Sequence, residues 1–426
     1  MNALQRLLSL SDDEKTRLGV EATPAEIAQQ PEMWRDTARR FAEASAAVRN
    51  LLAQVGLPGP PTGRRAGSGA EIVFGGAGTS DFVGRCVEGP VSEALATRAI
   101  ACPTTTIVTH PQYAFGSDRP AVMVSFARSG NSPESVAAVE MALQGWPQVR
   151  HLIITCDETG QLAHLGREHG DKACVLVLHP RTNDRGLAMT SSFTSMVVAG
   201  LGLAYLDHVD DYAALVNRMA EAGERILQVA PDVAELLAKK KPRRACFLGS
   251  GALEGAAVEC HLKLQELTDG DVICLCDSFL GLRHGPRAAI HGDTLVIYFL
   301  SSDPHVRRYE MDLLRSNRQQ GIGLAHLVVV DQADAELRSL ADELIEFDPE
   351  GELRLPDHMK TPVVTIAGQL LGVFASLELG LKPDTPSRAG VIHRVVQGVT
   401  IYPWRVRRAD PPPRSPQRGD PEGRNR

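Results

Sequence analysis

The chain has 426 residues, 43% hydrophobic and 23% charged, a globular composition long enough for two or three domains. Its 45 basic and 52 acidic residues give a formal charge of −7, which argues against a nucleic-acid binder driven by phosphate neutralisation. Eight cysteines without a C-x-x-C pair suit reduced thiols in a cytoplasm rather than a disulfide or metal framework. Cys274 and Cys276, with His284 nearby, are read as two small apolar residues on one strand face, with no metal.

The first residues, MNALQRLLSLSDDEKTR, lack a long apolar stretch and turn acidic quickly, unlike a signal peptide. No apolar run approaches the roughly 20 residues that span a bilayer, so a soluble, cytoplasmic protein without a membrane partner is expected. Residues 1–44 read as helices. SDDEK at 11–15 offers a cap and an acidic first turn, and Thr23-Pro24 starts a second helix running through Trp34 towards Phe41.

Beyond this segment one unit is written twice. EIVFGGAGTSDFVG at 71–84 is an apolar strand, a Gly-x-Gly turn and a helix start; RACFLGSGALEGAA at 244–257 repeats it, with Gly249 lying 173 residues after Gly76. At the same offset AVMVSFARSG (121–130) meets TLVIYFLSSD (294–303), and HLIITCD (151–157) resembles HLVVVDQ (326–332). Helical patterns such as 132–146 lie between the strands. The expected fold is therefore α/β, with two open parallel sheets covered by helices on both faces. They are placed at 45–210 and 215–402, after an N-terminal helical segment 1–44. The proline-rich stretch 405–426 reads as a disordered tail.

The Gly-x-Gly turns do not signal a dinucleotide. The third glycine of G-x-G-x-x-G is Asp81 in one copy and Glu254 in the other, and either carboxylate would face the pyrophosphate. SFARSGNSPES at 125–135 suits an anion better. Ser129, Asn131 and Ser132 bring donors, Gly130 lets backbone amides approach, and Ser132-Pro133 opens a helix whose positive end favours negative charge. Arg128 adds a charge, and Thr79 and Ser80 tip the neighbouring unit. The same string could be only a good strand-to-helix turn. The second copy, Ser301-Ser302-Asp303-Pro304, decides for the anion: its acid stands where Gly130 does, which suggests that only the first copy binds phosphate.

In the second half, His284 sits in the rigid turn Arg283-His284-Gly285-Pro286, where it is either structural or catalytic. Glu266 lies near the end of an otherwise apolar helical run, opposed by the helix dipole, so it is either exposed or a partly buried base.

These residues together resemble a known family. TPAEIAQQPEMW (23–34), GAGTSDFVG (76–84), SFARSGNSPESVAAVE (125–140), LAMTSSFTSM (187–196), LGSGALEGAAVECHLKLQELTDGDV (248–272), DSFLGLRHGP (277–286) and HRVVQGVTIYP (393–403) are similar, in order, to tandem sugar isomerase (SIS) domain proteins. The nearest resemblance is to the tagatose-6-phosphate ketose/aldose isomerase family, which includes galactosamine-6-phosphate deaminases. It implies phosphate binding by Thr79, Ser80, Arg128, Ser129, Gly130, Asn131 and Ser132, with Thr190 and Ser191 on the phosphate or sugar. It also implies a C2 base at Glu266 and ring opening by His284. Compared with the isomerase half of glucosamine-6-phosphate synthase, Ala127 replaces the first loop serine and Gln397 a carboxyl-terminal lysine. Position 2 is Asn2, without the glutaminase cysteine, so amide transfer is not expected. The implied reaction converts an amino-sugar 6-phosphate, galactosamine 6-phosphate above others, to tagatose 6-phosphate and ammonium, with no metal or cofactor. Plain aldose-ketose isomerisation and a non-catalytic phosphosugar-binding regulator are the alternatives. A homodimer or larger homo-oligomer, with sites completed at subunit contacts, is the implied assembly.

Overall fold

A computed structural model describes residues 1–57, 69–116, 119–396 and 398–404. Two five-stranded sheets carry the fold. In the first, β1 (Glu71–Gly75), β2 (Arg98–Ala101), β3 (Ala121–Ala127), β4 (Val149–Thr155) and β5 (Ala173–Val177) lie in the order 2-1-3-4-5, all parallel. The second contains β6 (Arg244–Gly249), β7 (Ile273–Ser278), β8 (Thr294–Phe299), β9 (Ala325–Val330) and β10 (Glu343–Glu346). Its order, 7-6-8-9-10, is the same topology, again parallel throughout. The duplication seen in sequence is thus a duplication of strand order. Cys274 and Cys276 both lie on β7, and all eight cysteines are free thiols.

Alternate strand residues point to opposite layers, because successive side chains leave a strand on opposite faces. Val122, Val124 and Phe126 of β3, with Leu295, Ile297 and Phe299 of β8, enter one apolar core shared by both sheets. Met123 faces a separate outer cluster of the first half, and Val296 and Tyr298 one of the second. Helices fill the shared middle layer. Among them, Asp357–Glu378 packs on Val209–Lys239 and on Ala252–Leu267, which in turn packs on Thr79–Ala94. By length and composition Asp357–Glu378 could cross a membrane, but 89% of its apolar window is buried inside the fold, so it is a core helix.

The N-terminal region departs from its expected form. Ser11 caps a helix Asp12–Leu18 through a reciprocal box with Glu14, as the motif predicts. The single helix expected from Thr23 to Phe41 is instead two, Thr23–Ala28 and Gln30–Ala53, broken at Gln29. Pro31 lacks the N–H that would bond back to Ile27, and its ring crowds that carbonyl. The longer helix runs across the 44/45 boundary and ties both halves together. Trp34 donates to Thr194 Oγ1 at 2.9 Å, and Gln30 donates to Gln369 Oε1 at 2.8 Å.

The two halves meet where helix Thr79–Ala94 crosses Ala252–Leu267. A Cβ on Gly255 would lie 2.7 Å from Cys86 Sγ and 2.8 Å from Cys86 N. Alanine normally stabilises a helix interior relative to glycine by about 1 kcal/mol. Here the overlap with backbone should reverse the sign, and Gly255→Ala should lose about 1–3 kcal/mol, read as a lowered melting temperature.

Candidate functional site

The sheet order reverses between β1 and β3, and ligands of open α/β sheets bind outside the carboxyl ends of strands at such a point. A cleft of about 410 Å3 opens there. Its floor is the turn after β1, with Thr79 and Ser80, and the loop after β3, with Ser129, Gly130 and Ser132. Gly130 has φ +68°, a left-handed value that a side chain would strain. Among the described residues, the amides of Ser129, Gly130 and Ser132 have no partner. They are donors left for an anion at the positive end of helix Pro133–Gly145. Ser132 stands at the cap position, but its hydroxyl donates to Glu134 Oε2 at 2.9 Å instead of capping the backbone.

The opposite wall comes from the second half. Helix Ala252–Leu267 carries Glu259, Lys263 and Glu266 at spacings that stack side chains on one face. Lys263, 1% exposed, donates to Glu266 Oε2 at 2.6 Å and to Thr79 Oγ1 at 3.0 Å, and lies 3.4 Å from Glu259 Oε1. Burial alone would discharge its ammonium, but the flanking carboxylates of Glu259 and Glu266 outweigh that and raise its pKa. Glu259, wholly enclosed, is pushed up to about 8 by burial against the pull of Lys263. Lys263 is thereby held as an ammonium between the two acids, with Glu266 the shorter contact. The Glu266 side chain is 25% exposed and lines the cleft, and its Oε1 has no partner among the described residues.

The roof is the carboxyl-terminal segment 391–396. Arg128 holds it. Rather than pointing at the anion loop, its guanidinium donates to the carbonyls of Gly186 (3.2 Å), Leu187 (3.0 Å) and Arg394 (2.6 Å). Arg394 in turn donates to Asp184 O at 2.7 Å.

No family model matches the chain. The AgaS protein of Streptomyces coelicolor is 38% identical over 387 residues, 89% of this chain and 95% of its own. The D-galactosamine-6-phosphate deaminase AgaS of Escherichia coli is 34% identical, across 90% of this chain and 96% of its own. The chain belongs to the galactosamine-6-phosphate deaminase AgaS family. Solved structures of the same SIS fold include the tagatose-6-phosphate ketose/aldose isomerase of Escherichia coli (TM-score 0.78, 32% identity, covering 90% of this chain and 97% of that one). A candidate isomerase of that kind from Clostridium novyi superposes with a TM-score of 0.87 at 33% identity, covering 95% of this chain and all of that one.

Within this family frame, the residues singled out from sequence fall into three groups. Thr79, Ser80, Arg128, Ser129, Gly130, Ser132 and Glu266 line the one cleft. Asn131, Thr190 and Ser191 do not. Asn131 braces the loop by accepting Gln161 N at 3.0 Å. Thr190 and Ser191 are fully buried behind the wall, where Asp184 gathers the Thr190 amide, the Ser191 hydroxyl and both donors of Ser192 at the start of helix Ser191–Leu201. Their segment reaches the cleft through Leu187 and Met189 instead. His284 ends the short turn Gly281–His284, exposed, and is not among the residues lining the cleft with Glu266. Gln397 and the tail 405–426 lie outside the described residues.

The second copy is closed by its own side chains, and the reason differs from the one read in sequence. Asp303 does not sit as a repelling charge. It caps helix Pro304–Gln319, accepting His305 N and Val306 N. The loop donors are instead taken by two other carboxylates. Glu310 accepts Ser250 Oγ at 2.7 Å and Ser301 N at 2.9 Å, and Asp357 accepts the Ser301 hydroxyl and Ser302 N.

Sequence reasoning singled out the segment 393–403 but gave no role to Lys263, Glu259 or His393. The i, i+4, i+7 charges on an otherwise apolar helix were a readable sign of the first two. The buried acids also set a pH dependence. Burial raises Glu259 to about 8, Glu26 and Glu310 to about 7, and Asp81 to about 6. The folded state keeps protons that the unfolded chain has already released, so this stability is full at low pH and lost as pH rises through 6–8. Burial lowers His151 to about 4, an opposite contribution that is lost as pH falls below 6.5. The melting temperature should therefore fall from about pH 5 to about pH 8 and level off above that, and Glu259→Gln should flatten that limb.

Proposed function

We propose that the chain is a deaminating aldose-ketose isomerase that converts galactosamine 6-phosphate to tagatose 6-phosphate and ammonium. The observation that carries this reading is a lysine-held carboxylate, Glu266, in the same cleft as an anion loop with free amides. The family relatives named as deaminases support the amine chemistry.

The phosphate is bound by the amides of Ser129, Gly130 and Ser132 and the hydroxyl of Ser129, with Thr79 and Ser80 beside them. In the opened sugar, Glu266 removes the C2 proton and returns it at C1. The C2–H electrons form the C1–C2 double bond of an enolamine as the C1=O π pair moves to O1, which takes a proton, and protonation at C1 then gives the C2 imine in its protonated form. Water hydrolyses the imine, and the C2–N bond breaks with loss of ammonia. Lys263 keeps Glu266 in place and offsets charge that develops nearby. General acid–base steps of this kind are worth about 10²–10⁴-fold each, with the phosphate anchor supplying positioning.

Ring opening by His284 requires a second copy, because the exposed His284 turn does not line its own chain's cleft. A homodimer or larger homo-oligomer in the cytoplasm, with each copy lending His284 to the other, meets that need. Mixing inactive Glu266→Gln and His284→Asn chains should then restore turnover through the one intact site of each heterodimer. If both variants are inactive and the mixture stays silent after subunit exchange, the arrangement is wrong.

The primary assay is ammonium release from galactosamine 6-phosphate, with glucosamine 6-phosphate and N-acetylgalactosamine 6-phosphate alongside. Selective release from the galacto amine is the expected result. Interconversion of a neutral ketose and aldose phosphate without ammonium would favour plain isomerisation, and saturable binding without either reaction a regulator.

A further inference from the structure

The mechanism above leaves the hydrolytic half-reaction without a proton carrier. Adding water to a C2 imine needs a base for one water proton, and expelling ammonia from the resulting carbinolamine needs an acid at nitrogen. The cleft contains a group the mechanism has not used. His393 lines it with Glu266 and the anion loop. Beside the cleft is a second cavity of about 280 Å3, bordered by Arg185, Asp384 and Ser387. His393, Ile392, Arg394 and Leu187 border both cavities, so residue 393 stands, exposed, between sugar site and side cavity. The backbone there is held from the next residue, since Arg394 O accepts Arg128 and the Arg394 side chain is anchored on Asp184 O.

We propose that His393 is the acid–base catalyst of imine hydrolysis, drawing its water from the side cavity. This rests on the deaminase reading above. Neutral imidazole takes a proton from water as the oxygen bonds to C2 of the protonated imine (C2=NH2+) and the C2=N π pair moves to nitrogen. The imidazolium returns that proton to the amine. The C2–N bond then breaks, its electron pair leaves on ammonia, and C2=O forms as the hydroxyl proton passes to solvent. Histidine suits both directions because it exchanges protons near neutral pH.

The test separates the two halves of the reaction. With galactosamine 6-phosphate deuterated at C2, loss of deuterium from C2, whether to C1 or to solvent, reports Glu266, and ammonium reports hydrolysis. In His393→Asn, ammonium release should fall about 100-fold while deuterium loss stays within a few-fold of the parent protein. Added imidazole should restore release in His393→Ala. Undiminished ammonium release would overturn the proposal, as would deuterium loss falling in parallel, which marks a merely structural role. A parent protein that loses deuterium but releases no ammonium would instead sink the deaminase reading, and this inference with it.

Discussion

Glu266→Gln should lower kcat for galactosamine 6-phosphate by about 10²–10⁴-fold, with KM changed only a few-fold. The amide has the shape of the carboxylate and can still accept from Lys263 Nζ, now 2.6 Å from Oε2, so the pocket should keep its form. What it loses is the ability to take a proton from C2. Binding should survive because the anion loop lies on other elements, after β1 and β3, with its own free amides. A fall in affinity matching the fall in kcat would mean that Glu266 holds substrate rather than moving its proton. Stability should fall as well, because the amide leaves the Lys263 ammonium, 1% exposed, facing a neutral acceptor where a carboxylate stood.

Lys263→Met should cost both stability and activity, and for the same reason. The ammonium is buried at 1% exposure between Glu259 and Glu266, and also bonds Thr79 of the other half. Removing one member of a buried ion pair typically costs about 3–5 kcal/mol, because the partner charge is left unpaired. The loss here should fall at the lower end. Burial already disfavours the charged form of Glu259, and Glu266 can turn toward water. Loss of a preorganised positive group should also lower kcat by about 10²-fold. Glu259→Gln is the control: it keeps the Lys263–Glu266 pair and should retain most activity. If it proves as damaging as Lys263→Met, Glu259 is a member of the ionised pair.

Much of the architecture was legible because it depends on local pattern. Strands such as 121–127 and 294–299 are buried on both faces and read as continuous apolar runs, which is the mark of central parallel strands. The short edge strands β2 and β10 are mixed in burial and carry no such run. The break at Gln29 was readable in retrospect from Pro31. The anion loop was visible for a related reason: a glycine, hydroxyls and a helix start are neighbours in the chain before they are neighbours in space.

The sequence by itself therefore determined a duplicated α/β unit, a loop fit for an anion, and a carboxylate on a helix. Only the tertiary structure decided what each charge faces. Arg128, next to the loop in sequence, donates to three carbonyls of the wall and roof because that is where its buried guanidinium finds acceptors. His284, in a strong motif, stands outside its own cleft. Lys263 bonds Thr79, 184 residues away, and in the second half the corresponding loop has its donors taken by Glu310 and Asp357, while Asp303 caps its own helix. Local pattern encodes backbone conformation and burial. The partner of a buried charge is fixed by which elements pack together, and desolvation makes that partner decisive.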